Sequence, residues 1–217
     1  MLTVEFHCHT YYSKDSLVRP ADLVEMCRRR GIDRVVITDH NHTTGALEAQ
    51  RIDPQRVIVG EEVMTTQGEL LCAFVQECLP PGLYPMEAIS RLRSQGAFIS
   101  VSHPFDNTRN GSWRPEDLLS IAPHVDAIEV FNSRCITAQA NKQAHDFAAQ
   151  QNLPGTVGSD AHTLRELGRS VLIIPDFSDA TGLWNVITQA QYQTRLSSPF
   201  IHITSRWAVW QKMRKGE

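Results

Sequence analysis

Short β-branched apolar runs alternate along the chain with stretches of helical periodicity. Leu2, Val4 and Phe6 alternate with polar residues, the period of a half-buried strand. Further strands are predicted at 34–38 (RVVIT), 57–62 (VIVGEE), 97–102 (AFISVS), 126–131 (DAIEVF), 155–159 (GTVGS) and 170–174 (SVLII). Segment 69–75 (ELLCAFV) reads as an extra strand, forming a local hairpin with the third through TTQG. PADLVEMCRRRG and YPMEAISRLRSQG each carry proline at the start and glycine at the end, the asymmetry of a helix. TAQANKQAHDFAAQQN and ATGLWNVITQAQ are helical candidates, and RWAVWQKMRKGE reads as a basic amphipathic end helix or a fraying tail with a solvated face. Such alternation predicts parallel βαβ units. A single unbroken series favours an α/β fold closed, or nearly closed, into a barrel; an open doubly wound sheet is the alternative. No linker or repeat divides the chain, so one domain over residues 1–217 is expected.

The strands end on chemistry. In order they finish at His7-Cys8-His9, Thr38-Asp39-His40, Gly60-Glu61-Glu62, Ser102-His103-Pro104, Glu129-Val130-Phe131-Asn132 and Gly158-Ser159-Asp160-Ala161-His162. In barrels and open α/β sheets those ends converge on one site. His7 and His9, two apart in a strand, project to the same side while Cys8 points away. His42, His124, His145 and His202 lie off the pattern and read as surface or capping residues. Imidazole and carboxylate donors together suit zinc, manganese or iron. One ion takes three or four ligands. His7, His9, Asp15, His40, Glu62, His103, Asp160 and His162 are too many for one ion and suit two or three divalent ions. Paired ions about 3.5–4 Å apart clamp the oxygens of phosphoryl or acyl displacement. Their charge outweighs that of the three carboxylates, which favours an anionic substrate.

Composition narrows the setting. The chain has 217 residues, 41% hydrophobic and 21% charged, with net charge −3. Such a chain buries a core, and its charge demands neither nucleic acid nor membrane. Its apolar runs are too short to span a bilayer, and its start lacks a secretory signal. Cysteines 8, 27, 72, 78 and 135 are odd in number and form no CxxC pair. Reduced thiols and a cytoplasmic location are expected.

The motifs HCHT with the following Asp15, ITDHN, GEE, SHP and GSDAH occur in that order between residues 5 and about 168. Together they resemble the PHP family, the polymerase and histidinol phosphatase domains. The resemblance implies a distorted (β/α)7 barrel, a two- or three-metal centre at the C-terminal ends of its strands, and phosphoester hydrolysis. It implies that His7, His9, Glu62 and Asp160 hold a first metal, and that Glu62 bridges to a second metal also bound by His103. It implies that Asp15, His40 and His162 hold a third. Glu62 matches the family pattern of glycine, any residue, glutamate, and strand alternation lets only one of Glu61 and Glu62 face the site. One departure stands out. Family members often carry a further histidine on the strand after the glutamate, and here GELLCAFV puts Leu71 or Cys72 near that place. The second metal is then short of a ligand, and is weak, completed by Cys72 or water, or absent.

Arg109 and Arg134 follow the fourth and fifth strands in loops facing the site. They either grip phosphate bidentately or are solvated loop arginines. Asn132 either assists them or caps the next helix. The loop FDNTRNGSW after His103-Pro104 is expected to shape specificity. The expected function is metal-dependent phosphoester hydrolysis by water activation, on a small phosphorylated substrate or a nucleotide or oligonucleotide end, with His7, His9, Glu62, His103 and Asp160 as the catalytic group. A metal-dependent amide or lactone hydrolase and a degenerate non-catalytic binding module are the alternatives. No membrane and no obligatory protein partner are expected.

Overall fold

The computed structural model describes residues 1–198 and 200–216. Nine strands form one sheet: β1 (Leu2–Cys8), β2 (Arg34–Ile37), β3 (Val57–Met64), β4 (Glu69–Ala73), β5 (Phe98–Val101), β6 (Ala127–Asn132), β7 (Gly155–Gly158), β8 (Val171–Ile174) and β9 (Gln191–Gln193). Their order across the sheet is β7-β6-β5-β4-β3-β2-β1-β8-β9. Seven helices accompany them: α1 (Pro20–Arg29), α2 (Thr44–Ile52), α3 (Pro85–Ser94), α4 (Pro115–Ile121), α5 (Ala138–Gln151), α6 (Ala180–Val186) and α7 (Ile201–Lys215).

Strands β1 to β3 run parallel, as do β5 to β7, and β4 stands antiparallel between the two groups. The sheet curls until β1 meets the end of β7. Cys8 bridges to Ala161, the His9 N–H donates to the Ala161 carbonyl at 2.9 Å, and the Ala161 N–H donates to the His7 carbonyl at 3.3 Å. Gly158 permits this closure, because a Cβ there would stand 2.3 Å from the His7 Cβ. Lower down, Leu2, Thr3 and Val4 pair with β8 instead, antiparallel. β1 therefore changes partner along its length, which distorts the barrel.

Segment 69–75 forms the expected hairpin with β3 through TTQG, with Met64 opposite Glu69, and its other edge pairs with β5, so β4 is a full member of the barrel wall. One reading changes. The run at 170–174 does not close a parallel series; it is antiparallel to β1, with β9 outside it.

Helices α1 and α3 form as their patterns dictate. Pro20 and Pro85 occupy their first turns, and Gly31 and Gly96 follow them at positive φ. Each buries one stripe: Leu23, Val24 and Cys27, or Ala88, Ile89 and Leu92. α2 and α4 were not anticipated. α2 buries only Gly45, Ala46 and Ala49, which leave no apolar stripe to read. The helix expected over ATGLWNVITQAQ stops at Val186, tightens to a 3₁₀ turn at Ile187–Gln189 and gives way to β9. The last helix begins at Ile201, earlier than its pattern suggested; Glu217 lies outside the described residues.

β1 also breaks strict alternation. A register irregularity falls between Glu5 and Cys8. Val4 and Phe6 consequently join the larger apolar cluster, with Phe6 edge-on to Phe98, whereas Cys8 packs in the smaller one with Leu23, Val24 and Cys27 of α1. His7 and His9 are left at the rim of the barrel, both fully buried.

Candidate metal centre

All eight ligand positions expected from the motifs converge at that rim. Nε2 of His7 and Nε2 of His9 lie 3.1 Å apart. His7 Nε2 is 3.4 Å from Glu62 Oε1 and 3.6 Å from Asp160 Oδ1; His9 Nε2 is 3.4 Å from Glu62 Oε2 and 3.2 Å from Asp160 Oδ1. A tetrahedral ion with bonds of about 2.1 Å holds its donors about 3.4 Å apart, so this spacing is that of one coordination shell.

A second set surrounds the other side of Glu62. His103 Nε2 is 3.1 Å from Glu62 Oε1 and 3.4 Å from Glu69 Oε2, and His40 Nδ1 is 2.9 Å from Glu62 Oε2 and 3.7 Å from Glu69 Oε1. His40, Glu62 and Glu69 bring their donors within 4.8 Å of one another. The gap expected near Leu71 or Cys72 is thus placed elsewhere. Both of those side chains are buried in the apolar cluster, and it is Glu69, the first residue of β4, that reaches the site. Because β4 runs antiparallel, its first residue lies where the parallel strands end. Gly111 makes room for it, since a Cβ there would stand 1.8 Å from Glu69 Oε2.

The third set is Asp15, His40 and His162. Asp15 Oδ2 is 3.0 Å from His162 Nε2, and Asp15 Oδ1 is 3.6 Å from His40 Nε2. His9 stacks between the other two imidazoles, 4.4 Å from His40 and 4.2 Å from His162 by ring centroid. Glu62 faces the site as expected; Glu61 faces away and accepts from the Leu79 N–H and the Cys78 thiol.

Beneath the ligands, other groups fix three of the five imidazoles. His7 Nδ1 donates to Glu129 Oε1 at 2.9 Å. His9 Nδ1 donates to Ser13 Oγ at 3.0 Å, because that hydroxyl spends its own proton on Asp39 at 2.6 Å. His162 Nδ1 donates to the Asp160 carbonyl at 2.8 Å. In each case Nε2 is left facing the cluster, the arrangement second-shell partners impose on metal-binding histidines. Sequence reading gave Glu129 and Asp39 no role of this kind; their place at strand ends was the available signal. His103 (φ 23°) and Asp160 (φ 50°) hold left-handed backbone conformations, strain of the sort concentrated at functional sites.

The electrostatics agree. Asp15 Oδ1, Glu62 Oε2, Asp160 Oδ1 and His162 Nε2 are buried with no hydrogen-bond partner. Burial alone would raise the Glu62 and Asp160 carboxyls, yet His7 and His40 hold Glu62, and Arg109 and His7 hold Asp160, well below the usual carboxylate range. Burial, then His162 and His40, push His9 down to about 3. Burial opposes protonation of His7, but Glu62, Asp160 and Glu129 raise it well above its ordinary value. Ionised carboxylates, a neutral His9 and a proton on His7 that a cation would displace form a donor set that fits divalent metal.

The three phosphate candidates are placed differently from one another. Arg109 is engaged: Nη1 donates to Asp160 Oδ2 and Nε lies 3.0 Å from Asp106 Oδ2. Asn132 is also internal, donating through Nδ2 to Glu129 at 3.1 Å and to Asp160 at 3.2 Å. Arg134 is buried, donates through Nη2 to Ser205 Oγ at 2.8 Å, and its Nε makes no hydrogen bond but lies 3.5 Å from Glu166 Oε1. Arg109 and Arg134 line a cavity of about 930 Å³ over the site, together with His40, His103 and His162. One wall of that cavity is α7, through His202, Ser205, Arg206, Val209, Lys212 and Met213. The segment read as a solvated tail therefore stands over the cluster.

Comparison with known proteins matches the PHP domain model to residues 5–111 and the PHP-associated model to residues 138–191. An uncharacterized protein of Methanocaldococcus jannaschii is 34% identical over 174 residues, 79% of this chain and 70% of that protein. A second uncharacterized protein of the same organism is 32% identical over 61% of this chain and 82% of its own. Among solved structures, PsfC from Pseudomonas syringae superposes with TM-score 0.68 at 17% identity, over 97% of this chain and 98% of its own. A candidate metal-dependent phosphoesterase from Bifidobacterium adolescentis gives TM-score 0.61 at 20% identity, over 74% and 87%. An amidohydrolase from Chromobacterium violaceum, with bound sulfate and no metal, gives 0.61 at 14% identity, over 94% and 96%.

Proposed function

This chain belongs to the PHP family, and on that premise we propose that it is a metal-dependent phosphoesterase. The observation that carries the reading is the joint one: nitrogen and oxygen donors spaced as coordination shells, with orphaned buried oxygens, beneath a cavity whose wall is cationic. His7, His9, Glu62 and Asp160 would hold one ion; Glu62, Glu69 and His103, with His40 beside them, a second; Asp15, His40 and His162 a third. No thiolate enters these sets, so manganese, zinc or iron are the matching metals. Such ions supply Lewis acidity and acidify a water for attack.

The remaining work falls to the chain itself. Arg109 and Asn132 hold the outer oxygen of Asp160, so its inner oxygen faces His9. Glu129 fixes His7 through its ring and His103 through its backbone N–H. Arg134 brings a guanidinium to the cavity wall, where it can pair with phosphate oxygens. α7 limits the access of bulk water to the cluster.

The test is a panel of phosphomonoesters, phosphodiesters and amides, each with manganese, zinc and iron supplied separately. Phosphoester turnover that depends on metal, with no amide turnover, is the expected result. Amide turnover without phosphoester turnover would replace this reading with the amidohydrolase one.

A further inference from the structure

α7 lies outside both segments matched by the family models, which end at Gln191. It is nevertheless tied down over the site from two sides. Ser205 accepts from Arg134, which follows β6, and Lys212 donates to the carbonyls of Tyr11 and Ser13 in the loop after β1. Its residues at 202, 205, 206, 209, 212 and 213 recur at helical spacing and so form one face, the face that lines the cavity.

The charges on the cavity lining are unbalanced. Its acidic residues are Asp15 and Glu69, and both belong to the metal cluster. Away from the cluster the lining is cationic: Lys14, Arg134, Arg206 and Lys212. Lys212 is spent on backbone carbonyls, and Arg134 is held by Ser205 with Glu166 behind it. Arg206 and Lys14 are exposed and make no hydrogen bond or ion pair among the described residues. Free cations facing a shared cavity, with no carboxylate to neutralise them, are the surroundings of an anion. The metals would occupy one anionic group of a substrate, and Arg206 stands on a separate wall.

We infer that Arg206 on α7, with Lys14 and Arg134, forms a second anion subsite, so the preferred substrate carries a phosphate or carboxylate in addition to the group held at the metal cluster. This deepens the phosphoesterase reading and rests on it for which group is cleaved. It gives α7 a specific task, the selection of esters with an anionic leaving group.

The test uses unreactive ligands, so that it stands apart from turnover. Phenylphosphonate and para-carboxyphenylphosphonate are titrated calorimetrically into the metal-loaded protein, and hydrolysis of phenyl phosphate and para-carboxyphenyl phosphate is followed alongside. The carboxylated ligand should bind roughly tenfold more tightly, the scale of one charge-assisted contact. Arg206→Ala should bring the two affinities close to parity, and Arg206→Glu should invert the preference. Arg29→Ala, a surface change on α1, should keep it. Equal affinities in the unmodified protein, failure of both ligands to bind, or a preference untouched by Arg206→Glu would overturn the subsite. A preference that follows Arg206 without hydrolysis of either ester would uphold the subsite and refute the phosphoesterase reading.

Discussion

Two tiers of buried or half-buried carboxylates stand at the mouth of this barrel, and the chain treats them differently. Glu5, Asp39 and Glu129 form the lower tier, and each is saturated with donors. Glu5 accepts from Ser159, Gly168 and His7; Asp39 from Thr10 and Ser13; Glu129 from His7, His103 and Asn132. Asp15, Glu62 and Asp160 form the upper tier, and each has a buried oxygen with no hydrogen bond at all. A buried carboxylate without a partner is costly, and a fold able to satisfy three of them could have satisfied six. On the proposed reading, the difference marks where cations would sit. The lower tier is held by the protein's own hydrogens; the upper tier would take its balancing charge from the proposed metals.

The most severe way to break this distinction is to remove an upper carboxylate. Asp160→Ala should lose bound metal and reduce turnover by orders of magnitude with the fold intact by circular dichroism; full metal content in that variant would place the site elsewhere. Glu129→Gln tests the lower tier. It keeps the acceptor that meets His7 or the one that meets His103 but not the charge behind them, and we expect a loss of about 10–100-fold in metal affinity, without loss of any ion at saturating metal. Glu69→Ala should weaken one ion only, read as a drop in stoichiometry during a metal titration while the remaining ions titrate as before; an unchanged stoichiometry would return Glu69 to a structural role.

The smallest effect concerns Glu61, which faces away from the cluster. Burial raises its carboxyl to about 7 from 4.5. The unfolded chain ionises this group first, so stability is fully present below pH 4.5 and falls as pH rises through about 7. Glu61→Gln should remove a contribution on the order of 3 kcal/mol from that fall, seen as a shallower loss of denaturation midpoint between those pH values. Equal slopes for the two proteins would mean that Glu61 is solvated in the folded state.

Much of the cluster was legible because parallel strands deliver their last residues to one place. That rule found His7, His9, His40, Glu62, His103, Asp160 and His162; strand alternation let only one of Glu61 and Glu62 face the site, and the family pattern chose Glu62. It failed at Glu69 because β4 runs against its neighbours, so the residue at the rim is the first of its strand. A search along ELLCAFV for a ligand at Leu71 or Cys72 looked into the apolar core. α7 was misread for a different reason. Its cavity face is polar, and a polar face looks the same in sequence whether it meets water or a substrate. The outer face, with Ile203 and Trp207 exposed, gave no contrary signal. α2 was missed because glycine and alanine bury against the sheet without an apolar stripe.

The measurement that bears most directly on the two-tier distinction is a count of bound metal. Protein purified without chelator and reconstituted separately with manganese, zinc and iron should hold at least two ions per chain by elemental analysis. Anomalous scattering from crystals of that protein should place them among Asp15, Glu62 and Asp160, with none beside Glu5 or Asp39. Fewer than one ion per chain after reconstitution, or anomalous peaks away from those three carboxylates, would contradict it.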